Sequence, residues 1–355
     1  MNPSQHPAFD RHEGVHWFED AASGLRAVIA IHSTRLGPAA GGCRLWRYPN
    51  DEAALGDALR LSQGMSYKNA MAGLPAGGGK SVILAPSGAF DRRALFEAFG
   101  RAVDGLGGRY VTAEDVGASV ADMQIAATQT AYVAGLPPKA GMAGGDPGPW
   151  TALGVFEAMK QVVETRLDRP LNKTRVAVQG LGSVGMLLAQ MLHRAGAELV
   201  VADISPAKTA LAAKQFGASV VSVDDIHKVA VDVFAPCALG AVINPRTIGE
   251  LNCRVICGSA NNQLATPVEG RRLHDRGVIY CPDFVVNAGG IIGVMAEYAG
   301  EAEQVVRARV LNIPARTEEI LTVSDKRNQA ANLVADRMAR EMIGRPVEDA
   351  RSAAA

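Results

Sequence analysis

The sequence has no apolar run approaching the roughly 18–20 residues that a membrane-spanning helix needs. Its opening, MNPSQHPAFDRHEG, lacks the basic start and apolar core of a secretory signal, so a cytoplasmic location is expected. Neither sign of charge is in excess: 36 Lys and Arg balance 36 Asp and Glu. No global field therefore favours nucleic acid or an anionic membrane as a partner, and neither is expected. Aromatic residues are scarce at 5%, which leaves no stacking platform for single-stranded nucleic acid. Cysteines number five, at 43, 237, 253, 257 and 281, and this odd, irregular set is a poor disulfide framework. The seven histidines fall away from them, so no metal is expected. What is abundant is glycine, 38 residues, beside 48% apolar residues. That combination points to a loop-rich α/β enzyme with a sizeable core.

Leu25–Ser33 reads as a strand, and DEAALGDALRLSQGM after Pro49 and Asn50 as an amphipathic helix with acids in its first turn. GLPAGGGKSVILAP reads as a glycine loop feeding a short strand. DRRALFEAFGRAVDGLGG and VADMQIAATQTAYV read as helices. Residues 136–150, LPPKAGMAGGDPGPW, are the clearest linker and the expected hinge. Beyond it, short β-branched runs alternate with helices, the pattern of βαβ units and a parallel sheet. The expected domains are 1–140, completed by a C-terminal helix over 326–355, and 141–325.

VAVQGLGSVGMLLAQ carries GxGxxG at Gly180, Gly182 and Gly185, after an expected strand and opening an expected helix. Helix amides and the dipole there suit a pyrophosphate. Asp203 ends the next strand, 18 residues after Gly185, where a carboxylate can bond the ribose hydroxyls and repel a 2′-phosphate. No arginine stands at 204 or 205 to receive such a phosphate, so NAD is expected over NADP.

The first 138 residues hold only two lysines, Lys68 and Lys80. Lys80, in LPAGGGKSV, sits where burial and a second ammonium would ease proton loss and make it a general base. Lys68 could then keep its charge for a substrate carboxylate. The plainer alternative is a phosphate-gripping lysine or a surface pair; GGGKS lacks the full Walker A pattern, which argues against ATP. Asp115, in RYVTAEDVGAS, could balance charge and move a proton, but either Asp115 or Ser119 could simply cap a helix.

Seven blocks now stand in order: LGPAAGGCRLW (36–46), GMSYKNAMAGLPAGGGKSVI (64–83), GRYVTAEDVGASVADM (108–123), QGLGSVG (179–185), DVFAPCALGAVIN (232–244), GSANNQL (258–264) and PDFVVNAGG (282–290). In these the chain resembles the amino-acid dehydrogenases that act on leucine, phenylalanine, valine and glutamate, and the match covers nearly its whole length. The resemblance implies an α/β fold of two domains. One is a Rossmann-type doubly wound nucleotide domain, the other an α/β substrate and oligomerisation domain, with the active site in the cleft. It implies NAD, an apolar L-amino acid or its 2-oxo acid, ammonium, and a homo-oligomer. It makes Lys68 the lysine holding the substrate carboxylate, Lys80 the lysine activating water, and Asp115 the proton shuttle. Gly41 and Gly42 become the glycine turn beside the substrate. Asn262 contacts substrate and helps place the nicotinamide. Gly180, Leu181, Gly182, Ser183, Val184, Gly185, Asp203 and Ala238 become the cofactor contacts.

Ile291 and Val294 match the pocket wall and suit a medium aliphatic side chain, and Ala113 resembles the leucine enzymes. Small Ala40 is more like the phenylalanine enzymes. Leucine is the expected substrate and phenylalanine the alternative. A 2-hydroxy-acid dehydrogenase would want a histidine base, and His193, His227 and His274 show no carboxylate orienter at clear spacing. An NAD-binding protein without chemistry would not need both lysines.

Overall fold

The computed structural model describes residues 2–138 and 140–346. The chain forms two compact units. The first holds Met1–Gly145, Gly293–Glu303 and the segment from Ala339; the second holds Asp146–Ile292 and Gln304–Met338.

The first unit is a five-stranded sheet covered on both faces. Its strands are β1 (Gly14–Asp20), β2 (Leu25–Ser33), β3 (Ala39–Trp46), β4 (Gly77–Leu84) and β5 (Tyr110–Glu114). Their order is β1-β2-β4-β3-β5, with β1, β2 and β4 antiparallel in turn and β4, β3 and β5 parallel. Helices α1 (Asp51–Met71), α2 (Arg92–Asp104) and α3 (Val120–Ala126) complete it. β2 shows why its sequence is a nearly unbroken apolar run. Ala27, Ile29 and Ile31 join Phe96, Phe99 and Met123 on one face, while Val28 and Ala30 meet Leu55 and Leu59 on the other.

Asn50 caps α1, accepting from the Ala53 N–H at 2.9 Å. The helix runs past Gly64 to Met71, so Lys68 lies in its last turn instead of following it. The expected glycine loop before Lys80 is strand: Gly77, Gly78 and Gly79 open β4. Glycine is required there by close approach, since a Cβ on Gly78 would stand 2.0 Å from the Ser66 nitrogen of α1. α3 is shorter than expected. After Ala126 the chain turns, and Val133 bridges to Thr112.

The second unit is a parallel six-stranded sheet of β6 (Arg175–Gln179), β7 (Glu198–Ala202), β8 (Ser219–Val220), β9 (Val233–Pro236), β10 (Val255–Ile256) and β11 (Ile279–Tyr280). The order is β11-β10-β9-β6-β7-β8, the doubly wound arrangement with its switch point between β6 and β9. Its helices begin with α4 (Gly148–Arg166), α5 (Ser183–Arg194), α6 (Pro206–Phe216), α7 (Pro267–Asp275) and α8 (Asp283–Val286). The chain continues with α9 (Gly289–Tyr298), which passes into the first unit at Gly293, α10 (Glu303–Val310), α11 (Ile313–Arg327) and α12 (Ala331–Met342), which passes into the first unit at Ala339.

The C-terminal chain departs from expectation. The single helix expected over 326–355 is broken at its start, because Asn328 takes a left-handed conformation at φ 47° and ends α11 before α12 begins. The second unit extends to Met338, and only the segment from Ala339 belongs to the first. There Arg340 Nη1 donates to Asp10 Oδ2 at 2.8 Å and to the Tyr67 hydroxyl at 2.7 Å. Arg345 donates to the His32 carbonyl at 2.7 Å. The expected end of that helix, from 347 onward, lies outside the described residues.

Beside this anchor His12 is buried with both nitrogens engaged. Nδ1 accepts from the Asp10 N–H, so the ring proton sits on Nε2, which meets the Leu59 carbonyl and Ser62 hydroxyl. Burial pushes this imidazole down to about 4. The unfolded chain takes up the proton first, so stability is full above the ordinary histidine range and lost as pH falls toward 4. Thermal unfolding between pH 7 and 4 should show this slope, and His12→Asn should flatten it. Gly78→Ala should cost roughly 3 kcal/mol or more through backbone overlap. Gly64→Ala, where a Cβ meets nothing within 4 Å, should instead stabilise. Its expected gain is about 0.5–1 kcal/mol in urea titration.

Candidate active site

Lys80 occupies the middle of β4, flanked by β2 and β3, and is only 5% exposed. A buried ammonium needs a partner. Lys80 Nζ donates to Asp115 Oδ2 at 2.6 Å. Asp115 follows directly on β5, where the chain turns before α3. It is not the cap of that helix. Ser119 takes the role, in a reciprocal box with Asp122. Burial alone would raise the Asp115 carboxyl, but the Lys80 ammonium and the Arg44 guanidinium more than offset this and hold it below its usual range.

Arg44 was not singled out in the sequence. It sits on β3, and its Nε donates to the same Asp115 Oδ2 at 3.2 Å. Its Nη1 donates to Asp57 Oδ2 at 2.8 Å, and the Tyr48 hydroxyl donates to that oxygen at 2.5 Å. A signal was present. Gly42 and Arg44 share one face of β3 by the strand period, and a Cβ on Gly42 would stand 2.8 Å from Asp115 Cβ. An open cavity of about 670 Å³ lies beyond Arg44, lined also by Trp46, Tyr48, Asp57 and Arg60. Lys68, Lys80 and Asp115 do not line it.

Lys68 is half-buried in the last turn of α1, the helix that packs on β4. Its neighbour Asn69 pins that turn, donating to the Gly77 carbonyl at 2.6 Å and the Ala40 carbonyl at 3.4 Å. Ala40 is buried in β3. Gly41 is pressed against the Gly79 carbonyl, which a Cβ would approach to 1.9 Å. An apolar cluster of Val111, Ala113 and Ala134 is packed by Val294 and Tyr298 of α9. Ala113 and Val294 therefore come together. Ile291, a half-buried residue of the same helix, falls in the second unit.

In the second unit Gly180 adopts φ 97° and leads into α5, whose N-cap is Gly182 and which has no side-chain cap. A Cβ on Gly182 would meet nothing within 4 Å, so the space over this helix end is left clear by the protein itself. A Cβ on Gly185 would collide with the Gly180 carbonyl at 2.0 Å, as tight strand–helix packing demands. Asp203 has a task the sequence did not reveal. Its Oδ2 accepts from the Leu181 N–H at 2.6 Å and its Oδ1 from the Ser205 N–H at 2.8 Å. Lone pairs remain on both oxygens for ribose hydroxyls. Ile204, directly after Asp203 and 90% exposed, is aliphatic and offers no cation to a 2′-phosphate. These residues fit NAD. Ser183 and Val184 form the first turn of α5, and Ala238 lies against Gly180. Asn262 is exposed in the loop after β10 at φ 52°, its carbonyl accepting from Ala241 N–H at 2.6 Å.

One histidine reading needs correction. His227 does have a carboxylate partner, Glu250 Oε2 at 2.7 Å, brought in by folding from 23 residues away. The pair belongs to the second unit, whereas Lys80 and Asp115 belong to the first.

Residues 12–132 match the family model described as Glu/Leu/Phe/Val dehydrogenase, dimerisation domain. Residues 147–322 match the model for Glutamate/Leucine/Phenylalanine/Valine dehydrogenase. The chain belongs to this family. It is an amino-acid dehydrogenase, an oxidoreductase whose coenzyme is NAD. Leucine dehydrogenase of Geobacillus stearothermophilus is 46% identical over 333 residues, which cover 94% of this chain and 90% of the relative. L-tryptophan dehydrogenase of Nostoc punctiforme is 42% identical over 335 residues, covering 94% and 93%. A crystal structure of the Nostoc punctiforme enzyme superposes with a TM-score of 0.84 at 41% identity, covering 94% of this chain and 96% of that one. Glutamate dehydrogenase of Thermus thermophilus, at 20% identity and a TM-score of 0.75, shares the fold.

For this dehydrogenase, Asp203→Ala should raise KM for NAD roughly tenfold or more and narrow the preference over NADP, measured by initial rates with each coenzyme. Equal use of both coenzymes by the unsubstituted chain would contradict the role given to this carboxylate.

Proposed function

We propose that the chain catalyses the reversible oxidative deamination of leucine and similar branched-chain L-amino acids to the 2-oxo acid and ammonium. The observation that carries the reading is the buried Lys80–Asp115 pair, in a chain 46% identical to leucine dehydrogenases across most of its length. Lys68 holds the substrate carboxylate through charge. Ala113 and Val294, with Val111, Ala134 and Tyr298, offer an apolar wall for a branched side chain. Ala40, Gly41, Gly42 and Ile291 are assigned to the substrate's surroundings, and Asn262 to both substrate and coenzyme. Leu181, Ser183, Val184, Ala238 and the three glycines of the loop are assigned to NAD.

Bound NAD supplies the acceptor for the hydride that leaves the substrate α-carbon. The residues of the chain then manage water and protons. Lys80, with its ammonium proton lost, takes a proton from water as that water attacks the imino carbon. Asp115 accepts and returns a proton as the carbinolamine breaks down to oxo acid and ammonia. The α-carbon thereby loses a hydride and the nitrogen departs, while water supplies the carbonyl oxygen.

An aromatic substrate is the second reading, favoured by small Ala40 and Ala134 and by similarity to the Nostoc punctiforme enzyme, which its name assigns to tryptophan. We infer a homo-oligomer, in keeping with the dimerisation model matched by residues 12–132, and a cytoplasmic location. Among the described residues no helix is long and apolar enough to cross a membrane.

NADH oxidation should require both a 2-oxo acid and ammonium, with 4-methyl-2-oxopentanoate giving a higher kcat/KM than phenylpyruvate. Turnover without ammonium would defeat the amine chemistry. Lys80→Ala should lower kcat by about 10²–10⁴-fold. A variant retaining full turnover would remove Lys80 as the base.

A further inference from the structure

We propose that Arg44 is a positioning residue for the deamination step: its fixed charge, shared onto the oxygen that binds Lys80, keeps Asp115 anionic without letting it lock the proton on the lysine. The inference rests on the deamination reading.

Lys80 is asked to do two opposed things. It must stay buried beside a carboxylate at 2.6 Å, and it must release a proton to act as a base. An isolated ion pair in a poorly solvated place favours the first and opposes the second. Arg44 changes that balance because it binds the very same atom, Asp115 Oδ2, at 3.2 Å. A guanidinium does not titrate in the working range, so its charge persists through the cycle. It neutralises part of the carboxylate and places a second cation close to the lysine, and both effects ease proton release. When Lys80 is neutral, Arg44 still pairs with Asp115, so the carboxylate is not left as an uncompensated buried charge.

The fork of Arg44 is held from behind. Asp57 accepts from Nη1 at 2.8 Å, and Tyr48 donates to Asp57 at 2.5 Å. Arg60 Nη2 lies 3.6 Å from the other oxygen of Asp57. The titratable or charged groups facing Arg44 are thus Asp115 after β5, and Asp57, Arg60 and Glu52 on α1. Tyr48 follows β3, and His6 lies near the N-terminus. Cys43, next in the chain, is buried and its thiol is pushed up to about 12, so it stays neutral.

The test is the pH profile of kcat for oxidative deamination, on the acid side where the base must lose its proton. Arg44→Gln keeps a hydrogen-bond donor but removes the charge. Its acid limb should move to higher pH by about one unit, with kcat lowered and KM for NAD little changed. Arg44→Lys restores the charge and should bring the limb back toward that of the parent. Asp57→Asn removes an anion from the far side of Arg44 and should move the limb the other way, to lower pH, by a few tenths of a unit. A purely structural role would lower activity in all three without opposite shifts. Unmoved limbs, or shifts of one sign in Arg44→Gln and Asp57→Asn, overturn the assignment. If Arg44→Gln does not fold, the sign of the Asp57→Asn shift decides alone. An unsubstituted chain without ammonium-dependent turnover overturns the deamination reading and this assignment with it. A parent active by that measure, with unmoved limbs in the variants, overturns only the role of Arg44.

Discussion

One carboxylate oxygen, Asp115 Oδ2, bears the contacts on which the buried lysine of the first unit depends. It receives a lysine from the centre of the sheet and an arginine from the neighbouring strand. Burying an ammonium on a strand costs free energy unless an anion meets it, and burying that anion is tolerable only with its own donors in place. The parallel alignment of β4, β3 and β5 supplies the geometry, because consecutive parallel strands bring their corresponding ends together. The glycines before Lys80 serve the same end. They let α1 lie directly on β4, and so fix the helix turn that carries Lys68 against the strand that carries Lys80.

The nucleotide unit shows a comparable economy. Asp203, proposed as the residue that discriminates between coenzymes, also fastens the glycine loop through the Leu181 amide. On that reading ligand selectivity and loop shape cannot be altered independently at this residue. The clear space over Gly182 is not explained by packing within the protein, and it is open to the coenzyme proposed for this loop.

Much of this was legible in the sequence wherever the signal is local. GxGxxG between a strand and a helix, the helix introduced by Pro49 and Asn50, and the strand at Leu25–Ser33 each depend on near neighbours. The resemblance supplied Asn262, which no spacing rule would have found. What escaped reading depends on distance along the chain. Arg44 meets Asp115 71 positions away, and Arg340 meets Asp10 across 330. Gly77–Gly79 resembled a loop because glycine disfavours strands on its own, and only the close approach of α1 makes it the residue required. The break at Asn328 was missed for another reason: left-handed asparagine is one of several ways a polar helix surface can read.

The return of the chain at Ala339 has a bearing on synthesis. The second unit has all of its residues once Met338 has left the ribosome, but the first, although it is begun earliest, still waits for Arg340 to reach Asp10. The half that carries Lys80 is closed only when its C-terminal segment is made, and until then Asp10 has Gln63 and His32 but not its arginine.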